Sequence, residues 1–307
     1  MRSAPPIYRL EISVNVNYLE TMGRYRKAYK NRIKVLYRVR NKNFPFYAEL
    51  RNKSSSKSQS LIENGEQASL ISLGMDVDFD SKQECLVFKN QGKQIYMKGA
   101  DFGHGDIRSV FFYENYNSQI QEGQTVIDIG ANIEDSAFHF AANGMSLVVN
   151  EPYPKNANLA FINADLNGFA DKITVFNAAL GATNGRIKID ANSFPDIGSD
   201  FKPIDKGAEI PMLTFDEILM KSGIREAFLK MNCEGCEYDG LLKSSDQTIL
   251  KFKKIALEYH YGPKNLVERL KNLGYYVEFT KPRTTHNKFT RVRNLKEGYI
   301  YASRKDE

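Results

Sequence analysis

Hydrophobic positions along the chain change period in an ordered way. In the segment 125–152, Val126, Ile127 and Ile129 form a short β-branched run interrupted by Asp128. Gly130 then offers a turn, and Ile133, Ala137, Phe140 and Ala141 recur at the spacing of a helix with one buried face. A second apolar run, 147–149, ends in Asn150 and Glu151. The pattern predicts strand, tight turn, helix and strand, with an acid at the carboxyl end of the second strand.

The alternation continues downstream. Residues 154–166 read as a helix, 172–176 as a strand ending at Asn177, and 186–189 and 210–212 as short strands around a stretch, 191–208, rich in Pro, Gly, Ser and Asp. A loop of that length is either a substrate lid or a surface excursion. Thr214 opens a helix with Glu217 at the capping-box position, and Gly223 closes it. Strands are predicted at 228–233 and 255–259, a helix at 263–273, and a closing pair of strands at 275–279 and 299–302 around the basic loop 281–293. Strand and helix in turn predict an α/β fold built on a doubly wound, mostly parallel sheet with an antiparallel last strand.

The first hundred residues follow a different plan. Apolar and aromatic positions at helical spacing from 15 to 40 lie among Arg24, Arg26, Lys27, Lys30, Arg32, Lys34, Arg38 and Arg40. They predict a basic amphipathic helix or helix pair, which either touches a polyanion or packs with a solvated basic side. A strand at 44–50, a polar stretch at 51–60, a helix at 59–73 and a hairpin formed by 84–88 and 93–97 complete an N-terminal α+β extension. The expected domains are 1–100 and 101–307. The glycine-rich then aromatic segment 99–117 feeds into the first core strand, as a wall over the ligand or as an edge connection with buried Phe111, Phe112 and Tyr116.

Open parallel sheets bind ligands at the carboxyl ends of their strands, where an acid on the second strand accepts hydrogen bonds from ribose hydroxyls. Glu151 is placed for that role, and Asn177, at the end of the third strand, faces the adenine position. Gly130 is followed by Ala131, Asn132, Ile133, Glu134 and Asp135, not by the glycines that a pyrophosphate needs. Two acids at a helix start repel phosphate and suit a cation. S-adenosylmethionine carries a ribose, no phosphate, an ammonium and a sulfonium; the alternative is a plain turn with acids favourably placed at a helix amino end.

Charge and cysteine usage narrow the partners. A formal charge of +6 over 307 residues gives only weak attraction to polyanions. No apolar run reaches membrane-spanning length, and the start lacks the apolar core of a signal peptide, so a cytoplasmic location is expected. The three cysteines cannot make a four-cysteine zinc site. Cys233 and Cys236 have CxxC spacing, which admits a metal or redox reading. With only Cys85 and His260 as further ligands, packing cysteines and no metal are expected.

The motifs VIDIGAN, the EP after the second strand, AALG, TFDEIL, LKMNCEGCEYDGLL and ALEYH, in this order over about residues 106–273, resemble the FkbM-type family of S-adenosylmethionine-dependent methyltransferases. The resemblance implies a Rossmann-like class I methyltransferase with a seven-stranded sheet, and methylation of hydroxyl groups on sugars or other secondary metabolites. Asp128, Gly130, Asn132 and Glu151 match the family's cofactor-binding positions; Asp135 and Asn177 join them on the reading above. Two departures stand out: Glu134 where the family usually has glycine, and Asn232 where its KxDxEGxE pattern has aspartate. Methyl transfer to a hydroxyl needs an in-line acceptor and a base. Expected catalytic residues are His260 as base, then Glu234, with Glu237 or Glu258 orienting the histidine or binding sugar hydroxyls, and Asn232 beside them. A small-molecule or glycan acceptor is expected. Two other readings stay open: a nucleic-acid methyltransferase using the basic helices, although no Asn-Pro-Pro motif follows the fourth strand, and an inactive cofactor-binding protein.

Overall fold

The computed structural model describes residues 18–51, 58–90, 92–100, 107–112, 115–116, 122–133, 135–190, 204–285 and 295–304. They fall into two compact units that divide between residues 113 and 114.

The first unit contains α1 (Tyr18–Ala28), α2 (Arg32–Arg40), β1 (Phe46–Glu49), β2 (Gln59–Ile62), α3 (Gly65–Ser72), β3 (Val77–Asp80), β4 (Cys85–Asn90) and β5 (Lys93–Lys98). Tyr25, Tyr29 and Val35 point inward, and Tyr29 donates its hydroxyl to the Ala68 carbonyl (2.8 Å), whereas Arg26, Lys27, Lys30, Lys34 and Arg40 are exposed. The basic helices thus pack through their aromatic side and leave the charges to solvent. Residues 59–62, predicted helical, are a strand. Ser60 and Ile62 face inward against Ala48 and Phe46 in an antiparallel pair, and the helix begins only after Asn64, whose Oδ1 accepts from the Gln67 amide (2.9 Å). β4 and β5 form the expected hairpin, and β3 adds a third strand that its alternating acids disguised.

The second unit is built on one large sheet. β6 (Thr125–Ile129), α4 (Asp135–Ala142), β7 (Ser146–Asn150), α5 (Pro154–Leu166) and β8 (Ile173–Phe176) form one half. β9 (Ala179–Leu180), β10 (Gly185–Ile189) and β11 (Ala208–Leu213) make a separate small sheet, ordered β10-β11-β9. Residues 191–203 of the predicted lid lie outside the described residues. The other half runs through α6 (Phe215–Ser222), β12 (Ala227–Met231), α7 (Cys236–Lys243), α8 (Asp246–Ile249), β13 (Phe252–Tyr259), α9 (Lys264–Asn272), β14 (Tyr275–Phe279), β15 (Arg283–Thr285) and β16 (Leu295–Arg304).

The strand order is β14-β16-β13-β12-β6-β7-β8, with β15 added onto β16. β13, β12, β6, β7 and β8 pair in parallel, and β16 runs antiparallel to both neighbours. This is the doubly wound sheet with an antiparallel last strand that the alternation predicts. The order turns back between β6 and β12, and a sheet of this kind opens its ligand crevice at that point, beyond the carboxyl ends of the strands.

Burial explains why the central strands read as continuous apolar runs. Ile127, Ile129, Leu229, Met231, Ile255 and Leu257 join Phe215 and Ile218 of α6, Leu241 of α7 and Leu270 of α9 in one core cluster. The alternate positions are buried on the opposite face, where Asp128 and Lys230 sit side by side in register.

α6 shows how a local signal is modified by its surroundings. Thr214 Oγ1 accepts from the Glu217 amide (3.2 Å) and Gly223 ends the helix at φ +68°. The reciprocal half of the capping box is replaced: the Thr214 amide donates to Asn184 Oδ1 (2.8 Å), and Glu217 pairs with Lys221 (3.1 Å). Thr214→Ala therefore loses one cap hydrogen bond, and urea unfolding should show a loss of about 1 kcal/mol.

Candidate active site

The first wall of the crevice is the turn after β6. Gly130 adopts φ +74°, and a Cβ there would lie 2.0 Å from the Asn232 carbonyl oxygen, so the strand ends of β6 and β12 approach closely only because residue 130 has no side chain. Its amide donates to the Asn150 carbonyl (2.9 Å), and the Asn232 amide donates to the Ile129 carbonyl (2.9 Å). Asn132 follows at φ +53°, a conformation that asparagine tolerates better than most residues. Its backbone N–H is thereby aimed at Glu151.

Glu151, just past β7, is buried, and its two oxygens are both engaged. Oε2 accepts from the Asn132 amide and Oε1 from the Tyr153 amide, each at 2.9 Å. Burial pushes its carboxyl up to about 7, against the lowering effects of those amides and of Lys230. Asn177 Nδ2 donates to the carbonyls of Glu151 and Pro152 (2.9 Å each), and Asn156 Nδ2 donates to Asn132 Oδ1 (3.0 Å). Asp135 begins α4 and accepts from the Ser136 amide (2.8 Å). Glu134 lies outside the described residues.

Asp128 does not face the crevice as a free carboxylate. It is fully buried, taking a hydrogen bond from Ser136 Oγ (2.5 Å) and an ion pair from Lys230 Nζ (2.7 Å). Lys230 is 3% exposed, and its ammonium lies 5.2 Å from the centre of the Tyr116 ring. Neither Lys230 nor Ser136 stood out in the sequence reading. The available signal was a lysine inside an otherwise apolar central strand, which demands a buried counter-charge.

A second cluster stands at the ends of β12 and β13. Glu237, in the first turn of α7, has no exposure; its Oε1 accepts from both the backbone amide (3.1 Å) and Nδ1 (2.8 Å) of His260, and its Oε2 accepts from the Gly235 amide (2.9 Å). The other ring nitrogen, Nε2, lies 3.3 Å from Glu234 Oε2. Burial alone lowers the affinity of His260 for a proton. The charges of Glu237 and Glu234 and the hydrogen bonds to both overcome it and hold the pKa well above the ordinary imidazole value. The flanking carboxylates thus favour the charged form of the ring, with one nitrogen facing each of them. Asn232 Nδ2 donates to Glu258 Oε2 (3.0 Å), so the amide at the family's aspartate position satisfies a carboxylate that an aspartate would repel.

The structure thus brings His260, Glu234 and Glu237 together, and separately pairs Asn232 with Glu258. Cys233 and Cys236, expected as unbonded packing residues, are joined by a disulfide across the turn that carries Glu234 and Gly235, and both also pack on the core. Their Cα atoms lie 5.5 Å apart because the turn folds back on itself, close enough to bridge. Cys85 is the free, buried cysteine. Among the described residues no group of three or more His, Cys, Asp or Glu side chains is arranged to hold a metal. None of their helices is long and apolar enough to cross a membrane.

The Glu151 carboxylate, fixed by two amides, retains acceptor capacity for further hydrogen-bond donors. The model of the methyltransferase FkbM domain matches residues 128–300. Among solved structures, the methyltransferase domain of METTL16 is similar at 14% identity and TM-score 0.43, covering 78% of this chain and 79% of that one. Precorrin-6y C5,15-methyltransferase from Geobacter metallireducens GS-15 is similar at 15% identity and TM-score 0.36, covering 62% and 86%. M. capricolum TrmK in complex with S-adenosylhomocysteine is similar at 12% identity and TM-score 0.37, covering 63% and 67%. A search of curated proteins gave no match. With more than half its length covered by the family match, and with the doubly wound sheet in place, the chain belongs to the FkbM methyltransferase family and is an S-adenosylmethionine-dependent methyltransferase.

Proposed function

We propose that the enzyme methylates a hydroxyl of a glycan or small polyhydroxylated acceptor, and that Glu234 takes the hydroxyl proton. Bound S-adenosylmethionine supplies an electrophilic methyl group with a good leaving group behind it. The protein then has to hold the acceptor oxygen in line and remove its proton. The observation that carries this reading is the placement of the His260 ring between two carboxylates. Nδ1 faces Glu237 and Nε2 faces Glu234, so neither ring nitrogen is turned toward a substrate proton, and the base role passes to Glu234, the partly exposed member of the cluster. Glu237 holds the ring from its buried side, and the ring holds Glu234. Tyr261, 54% exposed and adjacent in sequence to His260, sets its ring against Gly235, the residue next to Glu234. An aromatic face next to carboxylates suits a sugar ring and its hydroxyls, whereas the acids repel a phosphodiester chain.

The test is transfer of labelled methyl groups from S-adenosylmethionine to a panel of pyranosides and, in parallel, to single-stranded RNA. Label in a sugar ether supports the reading. Label in RNA alone overturns it in favour of the nucleic-acid reading.

In this account Glu151 binds the ribose hydroxyls as a carboxylate, with Asp128, Gly130, Asn132, Asp135 and Asn177 shaping the cofactor's floor. A carboxyl that titrates at about 7 in the free protein must give up its proton to accept with both oxygens. Cofactor affinity should therefore strengthen as pH rises from about 6 to 8, by at most about tenfold per pH unit. The stability of the cofactor-free protein has the opposite sign: the contribution of the raised carboxyl is present in acid and is lost as pH climbs through about 7. Calorimetric titration across this range checks the first trend, which Glu151→Gln should abolish together with much of the affinity.

A further inference from the structure

The CxxC pair spans the element that carries the proposed base. Between the two cysteines lie only Glu234, at φ +57°, and Gly235, at φ +116°. Two consecutive left-handed residues make an unusual turn, and the first of them is not glycine, so something besides intrinsic preference must keep Glu234 there. Three restraints are visible. The Gly235 amide is tied to Glu237 Oε2 (2.9 Å). The Tyr261 ring closes over residue 235, where a Cβ would sit 2.9 Å from ring carbon Cε2. The third restraint is the covalent bridge itself.

We propose that the Cys233–Cys236 disulfide is a positioning element for Glu234, so that its reduction by a dithiol withdraws the Glu234 carboxylate from His260 and slows methyl transfer without weakening cofactor binding. The inference rests on the role given to Glu234 above. Reduction is a two-electron, two-proton exchange. A thiolate of the dithiol attacks one sulfur, the protein S–S bond breaks through a mixed disulfide, and the second thiolate releases it as a cyclic disulfide, leaving two protein thiols. The geometry indicates what the thiols would then do. Cys233 Sγ lies 3.5 Å from Glu237 Oε2, the same oxygen that accepts the Gly235 amide. A new S–H at Cys233 competes for that oxygen just as the covalent restraint is lost, and the turn can relax out of the left-handed region. Asn132 and Glu151 stand on the turns after β6 and β7, outside the bridged loop, and are tied to each other by the Asn132 amide, so their part of the cofactor floor keeps its shape.

The test uses the full chain labelled with ¹⁵N-histidine, oxidised and then reduced with dithiothreitol, with S-adenosylhomocysteine bound. Thiol titration after denaturation must rise from the single free cysteine to three. In the oxidised protein the His260 ring, assigned by its loss in His260→Gln, should show both nitrogens protonated and hydrogen-bonded at about neutral pH. On reduction the Nε2 signal should change while Nδ1, held by Glu237, persists. The turnover number on the pyranoside found in the labelling panel should fall on the order of ten- to a hundredfold, the scale of a small misplacement of a reacting group. Affinity for S-adenosylhomocysteine should stay within about twofold. Cys233→Ser/Cys236→Ser should behave like the reduced wild type and ignore dithiothreitol; if it does not fold, the reduced wild type carries the test alone. Unchanged ring signals and turnover despite three titratable thiols would overturn the proposal, as would a loss of cofactor affinity in step with turnover. Full activity of Glu234→Gln, with the ring signals still redox-dependent, would instead remove the base assignment and leave the positioning intact.

Discussion

Glu234→Gln should lower the turnover number by roughly two to four orders of magnitude, the usual contribution of a positioned general base. Glutamine has the same length and can still accept from His260 Nε2, so the turn loses little, and the ring keeps the Glu237 carboxylate while giving up one of its two counter-charges. What disappears is the ability to take a proton. Because Glu151 and the Asn132 amide lie on other strand ends, S-adenosylmethionine should bind with nearly its original affinity. The signature is therefore a fall in turnover at constant cofactor Kd, read by isothermal titration and methyl-release kinetics on one preparation. A variant with wild-type turnover would return the base role to another group. His260→Gln is the informative companion: it removes the ring from between two carboxylates, one of them fully buried, and should lower both activity and stability.

The second large effect concerns stability. Lys230→Met should cost about 3–5 kcal/mol in denaturant unfolding, because it strands the Asp128 carboxylate in an environment with no water to replace the ammonium. Ser136 Oγ satisfies only one of the two carboxylate oxygens. The double variant Asp128→Asn/Lys230→Met removes both charges, and it should unfold at a higher denaturant concentration than Lys230→Met alone. If the single variant cost less than about 1 kcal/mol, the pair would have to be solvated, contrary to its burial. The ion pair also bears on function. Asp128 was expected to hold the cofactor directly, and its geometry fits an indirect part better, fixing β6 to β12 beside the Gly130 turn that both strands share.

The core of the fold was legible because parallel strands covered on both faces have little choice of composition. Val126 to Ile129, Leu147 to Val149 and Ala256 to Leu257 could hardly be anything else, and Pro154 and Thr214 mark helix starts through backbone chemistry that does not depend on distant contacts. Errors arose where tertiary pairing overrode local period. Leu61 and Ile62 fit a helical count, yet the register of Ile62 with Phe46 makes them a strand. The site was legible by strand end and not by atom. The sequence places Glu237 and His260 on different elements of one site, but only the packing of α7 beside the end of β13 brings Oε1 to Nδ1 and pairs the candidate base with a buried carboxylate. The departure at Asn232 is likewise resolved by a partner 26 residues away, Glu258, which receives its amide hydrogen. The disulfide escaped because CxxC spacing alone does not say whether the turn between the sulfurs folds back far enough to join them.

The direction in which the sulfur of the cofactor points decides whether Glu234 can act as the base. A crystal structure of the oxidised protein with S-adenosylhomocysteine should place both ribose hydroxyls on the Glu151 carboxylate, with the sulfur opening toward Glu234 and the His260 ring behind it. A nucleoside whose ribose avoids Glu151, or a sulfur facing away from Glu234 with other groups lining the space beyond it, would contradict this placement.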